Sequence, residues 1–107
     1  MLFEPITIAG LTVKNRFVRS ATNEGMAELD GTVTKGIGDM YEDLAREDVG
    51  LIITGYSYVD VKGQSDERQQ GIDDDRFIEP YREIVSRVHN YDCRMFIQIV
   101  HCGRKDI

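Results

Sequence analysis

The chain has 107 residues, with 13 Lys and Arg against 19 Asp and Glu, a formal net charge of -6 and two cysteines. An acidic balance with charges of both signs mixed along the chain excludes a phosphate-backbone binder, whose affinity rests on clustered Lys and Arg, so no nucleic-acid partner is expected. No apolar run approaches the ~20 residues that cross a bilayer and no basic, then hydrophobic, leader opens the chain, so no membrane partner and a cytoplasmic location are expected.

In chain order, Ile6 to Lys14 alternates apolar and polar residues around Ala9 and Gly10. Gly10 suits the positive φ of a tight turn, which predicts a short hairpin over 6–14 placed ahead of the main sheet as a lid or plug. A first core strand follows near 16–22 (RFVRSAT) and ends in the polar turn Asn23, Glu24 and Gly25. Ser20, Ala21, Thr22 and Asn23 are candidate ligand-facing residues, because small and hydroxyl side chains at a strand end let backbone amides come close to a ligand.

Thr34 then caps a helix whose apolar positions Ile37, Met40, Tyr41, Leu44 and Ala45 share one face and pack on the sheet. The run near 49–55 (VGLIITG) is apolar on both faces, as a strand of a helix-covered parallel sheet must be. From Asp60 to Gly71 the chain is polar and without period, which predicts a surface loop at the end of the sheet where ligands bind.

Asp73, Asp74 and Asp75 precede a second helix and suit capping better than metal binding, since adjacent carboxylates diverge and no second ligand group accompanies them. Phe77, Tyr81, Ile84, Val85 and Val88 mark its buried face, Pro80 fits its first turn and the helix ends near Asn90.

A third strand runs near 94–100 (RMFIQIV), interrupted by Gln98. A buried primary amide must be hydrogen-bonded, so Gln98 either satisfies neighbouring backbone or faces a polar ligand. His101 beside Gly103 reads as a structural hydrogen-bonder that orients the loop with Arg104, and Cys93 and Cys102 read as reduced, buried thiols. No catalytic or metal-ligating residue is assigned.

Strand, helix, strand, helix, strand is the unit of α/β folds, and the ends of parallel strands share the ligand-binding face. Together, LFEPITIAGLTVKNRFVRSAT, DGTVT, VGLIITG, IDDDRFIEPYREIVSRVH and FIQIVHCGR resemble, in order, the start of an Old Yellow Enzyme family protein. These are the FMN-dependent NAD(P)H:flavin oxidoreductases and ene-reductases.

The resemblance implies the N-terminal portion of a (β/α)8 TIM barrel, in which 1–107 supply the hairpin, about three of the parallel strands and two helices of a fold of ~250 residues. It also implies that Ser20, Ala21 and Thr22 lie along the flavin ring, that Gly55 is the small residue at the second strand's end, and that the Gln98 amide bonds the pyrimidine edge. Ala21 stands where many members have proline, and Asn23 where others place Thr or Cys, although Asn can still donate to a flavin carbonyl.

FMN is the implied cofactor, NADH or NADPH the hydride donor, and an activated alkene or similar small molecule the acceptor. The family's substrate-holding His and Asn, its Tyr proton donor and its phosphate loops lie on later strands, so the isolated chain is expected to be inactive. The alternative expectation is a non-catalytic fragment or interaction module, joining a second copy or a complementary C-terminal part of the barrel through exposed sheet edges.

Overall fold

The computed structural model describes residues 1–103. The hairpin pairs β1 (Ile6–Ile8) with β2 (Leu11–Val13) in antiparallel register, Ile6 facing Val13 and Ile8 facing Leu11. Ala9 and Gly10 both have positive φ (48° and 85°), the two-residue turn whose twist matches the strands it joins.

The main sheet is parallel, in the order β3 (Val18–Arg19), β4 (Leu51–Ile53), β6 (Arg94–Phe96), with Val18, Leu51 and Arg94 in register. Helix α1 (Lys35–Arg46) links β3 to β4, and α2 (Ile78–His89) lies between β4 and β6. A second parallel pair, β5 (Ser57–Tyr58) with β7 (Ile99–Val100), extends the ends of β4 and β6.

The paired segments are shorter than the runs 16–22, 49–55 and 94–100, and the last run is divided in two. The Thr54 hydroxyl divides it by accepting the Gln98 N–H at 3.3 Å, which takes that amide out of the backbone ladder. Pairing resumes when Ser57 N–H donates to the Gln98 carbonyl at 2.8 Å.

Thr34 caps α1 through its hydroxyl, which accepts the Ile37 N–H, and Arg46 in the last turn complements the helix dipole. Asp74 caps a 3-10 turn over Asp75–Phe77 that runs directly into α2. Pro80 is the third residue of α2, where its missing N–H forfeits no intrahelical bond.

Both helices pack on one face of the sheet. Ile37, Tyr41 and Ala45 from α1 meet Tyr81, Ile84 and Val88 from α2 over Ile52, with Phe77 and Cys93 in the same cluster. Met40 and Leu44 pack partly buried against it, and Val85 is also only half-buried. On the opposite face Val18 and Phe96 are exposed, as are Ile97 and Ile99 beyond β6, whereas Leu51, in register with Val18, is buried.

The hairpin is fastened at the N-terminal ends of the strands. Arg94 Nε donates to the Thr12 carbonyl at 3.1 Å, Lys14 Nζ to the Tyr91 carbonyl at 2.8 Å, and Asn15 Nδ2 to the Asp48 carbonyl at 2.7 Å. It therefore closes the end of the sheet opposite the candidate ligand face.

Candidate functional site at the strand ends

The chain leaving β3 folds back over the end of β4. Arg19 starts this turn: its side chain is on the helix side, with its guanidinium 5.4 Å from the centre of the Tyr41 ring. That guanidinium donates to the carbonyls of Ile53 and Thr22, each at 3.1 Å, and pairs with Glu24 Oε2 at 3.0 Å. The same Oε2 accepts the Gly55 N–H at 3.0 Å, a donor that also lies 3.2 Å from the Tyr41 hydroxyl. Burial, and then the charge of Glu24, hold the Tyr41 phenol well above its ordinary pKa.

Below this turn the segment expected as a surface loop is partly inside. It forms a 3-10 turn over Val61–Gly63, and Gln64, Gln69 and Gln70 are buried. Their amides replace the water that a polar loop would otherwise need. Gln70 Nε2 donates to the Gly55 carbonyl at 3.2 Å and to Ser57 Oγ at 3.1 Å, while Gln69 Oε1 accepts the Ser65 N–H at 2.8 Å. Tyr81 completes the network, its hydroxyl 3.0 Å from Ser57 Oγ and 3.2 Å from the Gly71 carbonyl, and burial pushes its pKa up to about 12.

The expected site residues fall into distinct groups. Ser20 and Gln98 are exposed at the ends of β3 and β6, on either side of β4, and the Ser20 hydroxyl and Gln98 side-chain amide make no hydrogen bond within the described residues. The expectation that Gln98 is buried is thus corrected: the whole stretch Phe96 to Gln98 is exposed. Ala21 is half-buried beside them.

Thr22 and Asn23 are engaged locally. Thr22 Oγ1 donates to the Ser20 carbonyl at 3.3 Å; Asn23 donates to Asp66 at 3.1 Å and accepts the Gly25 N–H at 3.1 Å. Gly55 is buried and its backbone N–H and carbonyl are both taken. A Cβ there would lie 2.6 Å from both Glu24 Oε2 and the Thr22 carbonyl, so the protein itself requires a small residue at this position.

His101 does order its own loop, its Nδ1 accepting the Gly103 N–H at 3.0 Å while its ring lies against Gly63. Its expected partner Arg104 lies outside the described residues. Cys93 is buried as expected, whereas Cys102 is only half-buried because it sits at the open end of β7.

The sequence places Tyr41 on a packing face and Glu24 in a polar turn, and none of Arg19, Glu24, Tyr41 and Gln70 is among its candidate site residues. The available signal was Arg19 itself: a charge inside an apolar strand pattern demands a buried partner, and Glu24 is the nearest acid to follow it.

Known proteins resemble this chain in sequence and fold. The sequence profile of the NADH:flavin oxidoreductase / NADH oxidase family matches residues 1–106. An NADH oxidase of Thermoanaerobacter brockii is 35% identical over 105 residues, covering 97% of this chain and 16% of that protein. An NADPH dehydrogenase of Geobacillus sp. (strain WCH70) is 37% identical over 106 residues, covering 98% of this chain and 31% of that protein. The structure of the old yellow enzyme from Trypanosoma cruzi superposes with a TM-score of 0.90 at 31% identity, over 99% of this chain and 28% of that one. The chain thus spans less than a third of the length of each of these proteins, along their matching segments. It belongs to the NADH:flavin oxidoreductase / NADH oxidase family.

Proposed function

We propose that the protein containing this chain binds FMN and passes hydride from NADH or NADPH to a small-molecule acceptor such as an activated alkene. In this reading residues 1–107 form the hairpin and first strands of a (β/α)8 barrel, and Ser20, Ala21, Thr22, Asn23, Gly55 and Gln98 make up part of the cofactor site. The observation that carries it is the pair of exposed strand ends bearing Ser20 and Gln98, whose hydroxyl and primary amide are unused within the described residues. A primary amide offers both a donor and an acceptor, as the edge of a flavin pyrimidine requires.

When bound, FMN supplies the hydride chemistry; the protein binds and orients it. Ser20 and Gln98 contact it directly, Asn23 has a second amide hydrogen to offer, and Gly55 serves by fixing the backbone between them. The residues that would hold an acceptor lie outside this chain, so the chain alone has no turnover.

The visible absorption spectrum of the purified full-length protein, with the flavin identified by mass, tests this reading. A flavin band near one per protein, weakened about tenfold in affinity by Gln98→Leu, supports it. A colourless protein that takes up no added FMN overturns it.

A second reading rests on the exposed apolar residues Val18, Phe96, Ile97 and Ile99. Apolar surface of this kind is covered by further strands of a barrel or by association, with a second copy or a complementary part of the barrel as partner. Sedimentation of the 107-residue chain distinguishes the two: a flavin-free oligomer favours association, and a stable monomer counts against it.

A further inference from the structure

We propose that Arg19 and Glu24 form a buried clasp that presets the segment Ser20 to Asn23 for the cofactor, making Glu24 a positioning residue of the site. This rests on the flavin reading above and adds to it a device that acts without touching the flavin.

Four observations support the clasp. The Glu24 side chain is 1% exposed and that of Arg19 16%, so the two charges face each other largely out of water. Arg19 reaches forward to Ile53 and Thr22, and Glu24 reaches across to the Gly55 amide, so both ends of the segment are tied to the end of β4. Gly55 leaves the space that the carboxylate fills. Finally, Glu24 Oε1 is buried and has no hydrogen-bond partner among the described residues.

That last observation bears on the purpose of the pair. A buried ion pair is a poor route to stability compared with apolar packing, and one with an unused oxygen is poorer still. Its distinguishing property is direction: a guanidinium fork and a carboxylate hold only one arrangement of the segment between them, whereas apolar side chains would tolerate several. The segment held in this way is the one that carries Ser20.

The variant that separates these roles is Arg19→Met with Glu24→Leu, made in the full-length protein. Apolar replacement of both partners keeps the burial and removes the direction. We expect a melting temperature close to wild type, faster hydrogen exchange at the Gly55 amide, and FMN affinity weakened about tenfold or more. At saturating FMN, the visible circular dichroism of the bound flavin should also differ from wild type.

Unchanged affinity and dichroism, with faster Gly55 exchange, overturn the positioning role while leaving the clasp itself in place. Unchanged Gly55 exchange overturns the clasp. Should the double variant fail to fold, Arg19→Lys and Glu24→Gln test the same geometry, since each keeps the side chain's bulk and weakens the directed contact; each should lower FMN affinity, and unchanged affinity in both overturns the proposal. A wild-type protein that binds no FMN overturns the flavin reading and the positioning role with it, and Gly55 exchange, read without flavin, still reports on the clasp.

Discussion

The ring of Tyr58 lies against Gly71 so closely that a Cβ at Gly71 would sit 2.5 Å from the ring carbon bearing the hydroxyl. The two residues also form a parallel bridge, with Tyr58 N–H donating to the Gln70 carbonyl and Ile72 N–H to that of Tyr58. The backbone around the ring is thereby fixed and cannot yield to an added methyl group. Gly71→Ala should destabilise the chain by about 1–3 kcal/mol, the usual cost of overpacking, with an earlier urea midpoint and an unchanged slope. An unshifted midpoint would show that the ring can move.

Three of the five tyrosines should ionise late. Burial raises Tyr58, Tyr81 and Tyr41, Tyr81 to about 12 from an ordinary value of 10.0. Since the folded pKa lies above the unfolded one, the unfolded chain releases its protons first as pH rises. The stability linked to Tyr81 is therefore complete below pH 10.0 and lost as pH climbs towards about 12. In an absorbance titration Tyr41, Tyr58 and Tyr81 should ionise only above the ordinary tyrosine value, with alkaline unfolding; Tyr81→Phe should remove one late step.

Arg87 on α2 reaches Asp39 and Glu42 on α1, its guanidinium 2.6 Å from each. Hydrogen bonds from Arg87 lower both carboxyl groups below their ordinary values of 3.8 and 4.5. Depressed folded values mean that this contribution is present above the ordinary carboxylate range and lost as pH falls through it. Arg87→Met should flatten the acid limb of the stability curve, and added salt should reduce the difference between variant and wild type. An unchanged acid limb would assign that limb to other carboxylates.

Cys93 is fully buried and its thiol is pushed up to about 11, first by burial, whereas Cys102 is half-buried. A thiol reagent should modify one cysteine in the folded chain and two in denaturant, with Cys102→Ser abolishing the first. Two fast-reacting thiols in the folded state would contradict the packing around Cys93.

What was legible in the sequence is what repeats. The apolar offsets Ile37, Tyr41 and Ala45, the Thr34 cap and the Ala9–Gly10 turn all act within a few residues, and each occurs as expected. The strand ends were legible as locations, and Ser20 and Gln98 do lie at strand ends, on either side of β4. The polar interior was not: Gln69 and Gln70 resemble loop residues because amide pairing with distant backbone leaves no period in the sequence. Glu24, in what looks like a solvated turn, is buried for the same reason, its partners being Arg19 and a backbone amide 31 residues away.

The hairpin's fastenings also set an order of events. Its own turn closes over two residues, and the Asp48 carbonyl lies 33 positions beyond Asn15, but the other groups that hold it, the Tyr91 carbonyl and Arg94, lie 77 and 82 positions beyond Lys14 and Thr12. Contacts this distant in sequence slow folding, because the intervening chain must be ordered before they are gained. On the ribosome the hairpin therefore emerges well before the elements that complete its seat, and it is held only in part until α2 and β6 have been made.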